Sequence, residues 1–297
     1  MSNFVQQQNS ICNFATSDSW VILSPIEQSI KKKIETVGTP LKDWNINIYR
    51  GVLTGYNEAF IIDSEKREEI LANCQTEDER QRTAELIRPI LRGRDIKRYG
   101  YVDNGLFLIN THNGVRGRIP RIKIEDYPAV KAHLDQYWDR IATRADKGDT
   151  PYNLRNCAYL EDFSRPKIIW KRIGSILRFS FDNKGCFGLD STCFATGEHI
   201  EFLCCVLNSL MGHYLLKDSP KTGTGDLLVS VQAIEPACIP YNTKYERQLL
   251  PLLEKQIANL SATTEKEIND IVFTMYGLSP IECDYVTRYI KLSQQSQ

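Results

Sequence analysis

One glycine-containing stretch, Gly51-Val-Leu-Thr-Gly-Tyr-Asn-Glu-Ala-Phe60, constrains the fold of this chain more than any other. It connects two strand-like runs, residues 45–49 and 60–62. Two glycines around a threonine let the backbone turn sharply, and the tyrosine and asparagine that follow leave hydrogen-bonding groups exposed. The pattern favours a recognition loop, although an ordinary glycine-containing turn has the same composition.

A second stretch, Ile90-Leu-Arg-Gly-Arg-Asp-Ile-Lys-Arg-Tyr99, places four cations and an aromatic residue around one glycine. The whole chain has a formal net charge of zero, with 37 Lys and Arg against 37 Asp and Glu. Residues 88–172, however, contain eighteen Lys and Arg but ten Asp and Glu, a formal charge of about +8. A basic centre between acidic flanks is typical of a module that binds a phosphate backbone.

Hydrophobic periodicity and capping signals predict a mixture of helices and strands. The predicted helices are residues 24–37, 63–71, 76–86, 126–142 and 198–216, with further helices in residues 242–297. The predicted strands are residues 20–23, 45–49, 60–62, 105–110, 167–172, 176–182 and 186–195. The sequence therefore predicts an α+β (mixed α/β) fold with a largely antiparallel sheet and a C-terminal helical region. We expect a flexible lead-in at residues 1–19, one domain at 20–241 and the helical region at 242–297.

Composition excludes several classes of protein. No apolar run approaches the roughly 20 residues that span a bilayer, so we expect no membrane association. Nine cysteines without a C-x-x-C pair indicate free thiols in a reducing cytoplasm. Cys186, Cys193 and His199 match no common zinc-site spacing, and Lys221-Thr-Gly-Thr-Gly-Asp226 lacks the spacing of a P-loop. We predict no metal or cofactor site in this chain.

Catalytic motifs are equally scarce. The chain contains no G-x-S-x-G, H-E-x-x-H or G-x-G-x-x-G sequence, and no Asn/Asp-Pro-Pro-aromatic motif of amino-methyltransferases. The nearest match to a magnesium nuclease is Asp95-Ile-Lys97 with Asp63 upstream, a pattern that recurs by chance in charged chains. His112 could serve as a base but has no partner evident in the sequence. No catalytic residue is therefore predicted.

A series of motifs in chain order resembles a known family. The motifs are Gly51-x-x-Thr-Gly-x-Asn-x-Ala-Phe60, Leu91-Arg-Gly-Arg-Asp-Ile-Lys-Arg-Tyr99, Arg118-Ile-Pro, Pro166-Lys-Ile-Ile-Trp170, Val206-Leu-Asn-Ser209, Ile239-Pro240 and Ile271-Val-Phe-x-Met-Tyr-Gly-Leu278. Together they resemble the C-terminal specificity domain of TaqI-like adenine-specific DNA methyltransferases and type IIG restriction-modification enzymes. The resemblance extends over nearly the whole chain.

This resemblance implies a target-recognition domain that reads a short duplex sequence. In the family, catalysis resides in a methyltransferase domain placed N-terminal to the recognition domain, and that domain uses S-adenosylmethionine. The present chain contains no motif of such a domain or of a nuclease domain. We therefore expect a stand-alone specificity protein, a remnant or a piece of a larger enzyme, with double-stranded DNA and a methyltransferase or endonuclease domain or subunit as its partners.

Residue types and resemblance together predict two groups of DNA contacts. The cations expected to neutralise phosphates are Arg92, Arg94, Lys97, Arg98, Arg116 and Arg118. The loop residues expected to read base edges are Thr54, Tyr56, Asn57, His112, Asn113, Tyr152, Asn153 and Arg155. Two alternatives stay open: a protein-interaction module that docks through its helical tail, and a magnesium-dependent DNA endonuclease that uses Asp63, Asp95 and Lys97.

Overall fold

Two four-stranded sheets, two short ladders and twelve α-helices form the part of the chain that the structure, a computed structural model, describes: residues 23–295. The helices are α1 (Pro25–Val37), α2 (Asn57–Phe60), α3 (Ser64–Ala72), α4 (Glu77–Leu86), α5 (Pro128–Asp135), α6 (Trp138–Ile141), α7 (Ile200–Asn208), α8 (Leu210–Leu215), α9 (Val231–Ile234), α10 (Thr243–Ala258), α11 (Ala262–Met275) and α12 (Pro280–Gln295). The strands are β1 (Thr39–Pro40), β2 (Ile46–Arg50), β3 (Ile61–Asp63), β4 (Ile87–Leu91), β5 (Leu106–Ile109), β6 (Lys167–Lys171), β7 (Ile173–Gly174), β8 (Phe179–Asp182), β9 (Phe187–Gly188), β10 (Thr192–Gly197), β11 (Leu227–Leu228) and β12 (Cys238–Ile239). The predicted lead-in at 1–19, and all but the last residue of the predicted strand at 20–23, lie outside the described residues.

The first sheet has the strand order β2-β10-β6-β8, and each neighbouring pair is antiparallel. Its inner strands β6 and β10 are apolar at consecutive positions, a pattern typical of strands that are covered on both faces. Ile168, Ile169 and Phe194 are accordingly almost inaccessible to solvent. The predicted α+β class with a largely antiparallel sheet is confirmed.

This sheet separates two hydrophobic cores, because successive side chains of a strand point to opposite faces. Trp170 and Ala195 belong to the first core, together with α7 and the C-terminal helices. Ile169 and Phe194 belong to the second core, where the Phe194 ring lies 4.6 Å from that of Phe163 between centroids. Strands β6 and β10 are therefore part of both cores.

The second sheet has the strand order β3-β5-β4-β9, with β5 antiparallel to both neighbours and β4 parallel to β9. Strand β4 follows α4 directly and contains Pro89, which lies opposite Phe107 of β5. The sequence does not predict this strand, because a proline after a helical pattern indicates only that the helix ends.

The C-terminal helices α10, α11 and α12 complete the first core. Leu249 and Leu253 of α10 and Val272 of α11 are buried there with residues of α7. The predicted C-terminal helical region is confirmed. None of the helices between residues 23 and 295 combines the length and the apolar character needed to cross a bilayer.

Three predicted elements are interrupted. The predicted helix at 126–142 is two helices, α5 and α6. The predicted helix at 198–216 breaks at Ser209, whose hydroxyl accepts a hydrogen bond from the first turn of α8 at 3.1 Å. The predicted strand at 186–195 is β9 and β10, separated by a turn that the Thr192 hydroxyl stabilises by donating to a backbone carbonyl at 2.7 Å. In the last two cases a short polar side chain satisfies backbone groups locally.

Candidate nucleic-acid interface

The loop after β2, residues 51–57, begins with a close backbone approach. A Cβ on Gly51 would lie 2.1 Å from a carbonyl oxygen in the turn after β9, so only glycine fits there. Thr54 is buried, and its hydroxyl donates to Oδ1 of Asn57 at 2.6 Å and accepts from the amide of Tyr56 at 3.2 Å. Thr54 therefore shapes the loop from inside, whereas Asn57 is exposed and Tyr56 partly so.

Arg144 joins this loop to the segment at residues 144–158. Its buried guanidinium lies 4.4 Å over the Phe60 ring, and Nη2 donates to the carbonyl of Asn153 at 2.6 Å. Burial lowers the pKa of Arg144 to about 10. A Cβ on Gly55, which has φ +72°, would lie 3.0 Å from the Arg144 side chain. The two loops are thus packed directly against each other.

Residues 111–121 include a tight hairpin with Arg116 and Gly117 at its tip. Val115 and Ile119 exchange two backbone hydrogen bonds, each 2.9 Å long. Gly117 has φ +77°, and no atom lies within 4 Å of the position of a Cβ there. The tip therefore projects into solvent from a closed base, and Arg116 is exposed on it.

Two asparagines hold this hairpin region against residues 144–158. Asn113 donates to Oδ1 of Asp149 at 3.0 Å, and its Oδ1 accepts from the Asp149 amide at 2.9 Å. Asn153 is buried and donates to the carbonyl of Ile122 at 2.9 Å. Asn153 is therefore engaged in the interior, whereas Asn113 stays partly exposed while it positions the two loops.

The segments 52–57, 111–121 and 144–158 form one surface, which we call the three-loop face. Most of its exposed arginines are paired with carboxylates. The ion pairs are Arg118–Glu161 at 3.2 Å, Arg121–Asp149 at 3.0 Å and Arg155–Asp146 at 3.2 Å. Arg116 has no ion pair or hydrogen bond to its side chain from any residue between 23 and 295. The three-loop face is thus largely charge-balanced, with one free guanidinium at the tip of its hairpin.

Two further residues that were predicted to contact DNA, His112 and Tyr152, form stabilising contacts within the protein. His112 is partly buried, its Nδ1 accepts from the amide of Gly114 at 3.2 Å, and burial lowers its pKa. The Tyr152 hydroxyl donates to Asp135 at 2.6 Å, and its ring lies 5.4 Å from that of Trp138 between centroids. The Nδ1 atom of His112 is thus used within the turn, where it stabilises the loop.

Two of the predicted phosphate contacts, Arg92 and Arg98, point into the protein. Arg92 binds buried Asp95 through two hydrogen bonds of 3.0 Å. Arg98 forms an ion pair with Glu265 of α11 and donates to the carbonyl of Asn208 at the end of α7. These arginines therefore hold the segment after β4 on the body of the protein.

The residues of the nuclease alternative have other partners. Asp63 caps α3 by accepting from the Lys66 amide at 2.8 Å. Burial raises the pKa of Asp95, but the hydrogen bonds from Arg92 outweigh this effect and lower it. Lys97 donates to a backbone carbonyl at 3.3 Å. Within residues 23–295 no group of three or more His, Cys, Asp or Glu side chains is placed to hold a metal ion.

A second set of cations lies at the end of the first sheet where β2 and β6 end. Arg50 and Lys171 are the last residues of these strands, and both lie beside the start of β10. Gly93 packs on Lys171, since a Cβ would lie 2.9 Å from its Cγ, and the Gly93 amide donates to Ser191 at 3.1 Å. The next residue, Arg94, is exposed, as is Lys171. We call Arg94 and Lys171 the sheet-end cations.

Short contacts connect the sheet-end cations to the three-loop face. The turn that contains Ser191 also contains Asp190, which pairs with Arg50 at 3.5 Å. The carbonyl of Arg50 accepts from the Tyr159 hydroxyl at 3.0 Å, and the neighbouring Ala158 carbonyl accepts from Arg118 at 3.2 Å. The predicted cation Arg94 and the unpredicted Lys171 are thus linked to the predicted loops through the turn that contains Asp190 and Ser191 and through Arg50. The sequence signal that could have identified Lys171 is its position as a cation near the end of the predicted strand at residues 167–172.

Comparison with known proteins shows what this fold resembles. No family model matches the sequence, and no curated protein does. A solved structure of the type IIL restriction-modification enzyme MmeI in complex with DNA matches with a TM-score of 0.58 and 10% identity, over 88% of this chain and 37% of that chain. The type IIG restriction endonuclease BpuSI matches with a TM-score of 0.45 and 14% identity, over 86% of this chain and 34% of that chain. This chain therefore spans little more than a third of the length of either enzyme, and it has a fold similar to that of one part of MmeI.

Proposed function

We propose that this chain recognises a specific double-stranded DNA sequence as the specificity module of a restriction-modification system. The observation that carries the proposal is the series of short contacts that links the exposed sheet-end cations to the largely charge-balanced three-loop face. Cations without an acidic partner in the protein are suited to bind DNA phosphates, because each one that binds the DNA backbone releases counterions. Loops whose charges are already paired suit the grooves, where hydrogen bonds to base edges supply specificity.

The likeness of fold to a part of MmeI, an enzyme whose structure contains DNA, supports this proposal. The finer assignment is to a TaqI-like recognition domain that serves adenine methylation in the cytoplasm. In that arrangement a methyltransferase domain or subunit binds S-adenosylmethionine, swings the target adenine out of the helix and methylates it, while this chain grips the flanking duplex. The chain itself is not catalytic in this scheme.

The sheet-end cations provide the direct test. We expect the double variant Arg94→Ala and Lys171→Ala to bind every duplex more weakly, because phosphate contacts carry no sequence information. The plot of log affinity against log salt concentration should become shallower by about 0.9 for each phosphate contact that is lost. Fluorescence anisotropy with labelled duplexes at several salt concentrations measures both quantities.

Arg247→Ala is the matched control, since Arg247 is exposed on α10 away from this surface. We expect it to bind DNA as the parent protein does. Equal affinities and equal salt slopes for the parent, the double variant and the control would reject the proposed surface. A parent protein that binds no duplex from a randomised pool would reject the proposed function itself.

A further inference from the structure

The hairpin at residues 115–119 holds its tip in one conformation before any ligand arrives. Its two cross-strand hydrogen bonds close the base, and the Arg118 amide adds a third to the carbonyl of Val115 at 2.9 Å. A Cβ on Gly114 would lie 2.4 Å from the carbonyl oxygen of Ile119, which shows how tightly the hairpin is joined to its stem. Because the backbone is fixed in advance, binding through the tip loses little conformational entropy.

The two arginines of this hairpin have different surroundings. Arg118 is held at its base by Glu161 at 3.2 Å and by the Ala158 carbonyl at 3.2 Å. Arg116 is exposed on the tip with no partner for its side chain among residues 23–295. Five hydrogen-bond donors on a planar guanidinium therefore remain available to a ligand with closely spaced acceptors.

The carboxylates around the hairpin decide between phosphate and base. Glu161 flanks its base, and Asp146 and Asp149 lie on the adjoining loop of the three-loop face. Each of these carboxylates is paired with an arginine, so Arg118, Arg121 and Arg155 are not free to bind the phosphate backbone beside the hairpin. The floor of a groove carries base edges instead, and there an arginine finds paired acceptors on guanine O6 and N7.

The acceptors that suit Arg116 decide between the grooves. Residues 115–119 are a five-residue turn closed by one antiparallel bridge between Val115 and Ile119, so Arg116 stands on a narrow tip. Guanine presents the neighbouring acceptors O6 and N7 in the major groove of B-DNA, whereas in the minor groove it adds an amino donor, which a guanidinium cannot pair with. From this geometry we infer that Arg116 reads a guanine from the major groove and is a specificity-determining residue, an inference that rests on the proposed DNA-recognition function.

The first experiment selects the preferred site from a randomised duplex pool with the full chain. The selection is repeated with Arg116→Ala, Arg116→Lys and the control Arg247→Ala. We expect Arg116→Ala to lose the preference for guanine at one position only, by about 5- to 150-fold, and to keep the preferences at the other positions. Arg116→Lys keeps the charge but not the two parallel hydrogen bonds, so it should keep affinity for unrelated duplexes while losing most of this preference.

The second experiment changes the DNA at that position. Replacing the guanine by 7-deazaguanine removes the N7 acceptor from the major groove, and replacing it by hypoxanthine removes only the amino group in the minor groove. We expect 7-deazaguanine to weaken binding of the parent protein several-fold but to leave Arg116→Ala unaffected. Hypoxanthine should leave the binding of both proteins nearly unchanged.

The outcomes separate this inference from the function on which it rests. A parent protein that selects a site, together with an Arg116→Ala variant that selects the same site, overturns the inference and leaves the proposed function standing. Sensitivity to hypoxanthine but not to 7-deazaguanine places Arg116 in the minor groove and also overturns it. A parent protein that selects no duplex overturns both.

Discussion

Gly51 occupies a position where a single methyl group has no room. A Cβ would lie 2.1 Å from the carbonyl oxygen of Leu189 and 2.4 Å from that of Gly188, and both atoms belong to the backbone. Neither oxygen can move without shifting the start of the loop after β2 or the end of β9. We expect Gly51→Ala to lower the free energy of unfolding by about 1 to 3 kcal/mol, measured by urea denaturation.

Gly100→Ala is the matched control for this substitution. No atom lies within 4 Å of a Cβ at Gly100, and its φ is not positive. We expect its free energy of unfolding to stay within about 0.5 kcal/mol of that of the parent protein. If Gly51→Ala unfolded at the same urea concentration as Gly100→Ala, the close approach of the two segments would not exist in solution.

Single residues also show what the sequence could and could not predict. The glycines of residues 51–60 predict a sharp turn, and Gly55 has φ +72°, as that turn requires. Thr54 and Asn153 were predicted to face DNA, yet each is only 1% exposed. A polar side chain beside a glycine can serve a ligand or a neighbouring loop with equal chemistry. Only the packing of residues 144–158 on the earlier loops decides between them.

At the scale of elements, one carboxylate joins α12 to α1. Glu282 caps α12 through Ser279 and also accepts from the Ser29 hydroxyl at 2.7 Å and pairs with Lys33. Burial raises the pKa of Glu282, but these hydrogen bonds outweigh it and lower the pKa from 4.5 to about 2. A lowered pKa contributes stability that is fully present above the unfolded value of 4.5 and is lost as the pH falls toward 2.

We therefore expect Glu282→Gln to lower the free energy of unfolding at pH 7 by on the order of 2 to 3 kcal/mol. The difference from the parent protein should shrink between pH 4.5 and pH 2, because the parent loses the same charge in that window. Urea denaturation at several pH values measures this difference. Glu267→Gln is the control, since Glu267 is exposed on α11. A difference that stays constant with pH would show that the charge of Glu282 does not stabilise the joint.

Elements whose signals lie among neighbouring residues were predicted correctly, whereas a strand that depends on partners far along the chain was missed. Local capping signals at Ser24 and Ser279 predict the starts of α1 and α12, and both are confirmed. Strand β4 was not predicted, because Pro89 is a local signal for the end of a helix. What makes that segment a strand is its pairing with β5 on one side and β9 on the other. The partner β5 begins only at Leu106 and β9 only at Phe187, so no pattern within residues 87–91 contains this information.

At the scale of the whole molecule, the net charge of residues 88–172 was less informative than the ion pairs that their cations form. Residues 88–172 carry a formal charge of about +8, but several of their cations are used internally. Arg98 binds Glu265, far along the chain, and Lys167 forms an ion pair in the interior. The cations left exposed without an acidic partner include Arg94, Lys171 and Arg116. Counting charges indicated the region, and only the fold indicated which of them face solvent.

The sharing of β6 and β10 by both cores predicts that the two cores unfold together. Phe194 of β10 is fully buried in the second core, whereas α10 and α11 belong to the first. We expect Phe194→Leu to lower the free energy of unfolding by about 1 to 2 kcal/mol. Amides of α10 and α11 should lose the same free energy of protection in native-state hydrogen exchange, although their side chains belong to the other core.

Ile257→Ala provides the control, since Ile257 is 45% exposed on α10 and its truncation should leave protection in β5 nearly unchanged. If Phe194→Leu weakened protection in β5 but left α10 and α11 unaffected, the C-terminal helices would be a separate unit of stability. The predicted boundary between residues 241 and 242 would then divide two cooperative units. Equal losses in both regions would instead mean that the second core and the C-terminal helices respond to one unfolding equilibrium, because the first sheet connects them.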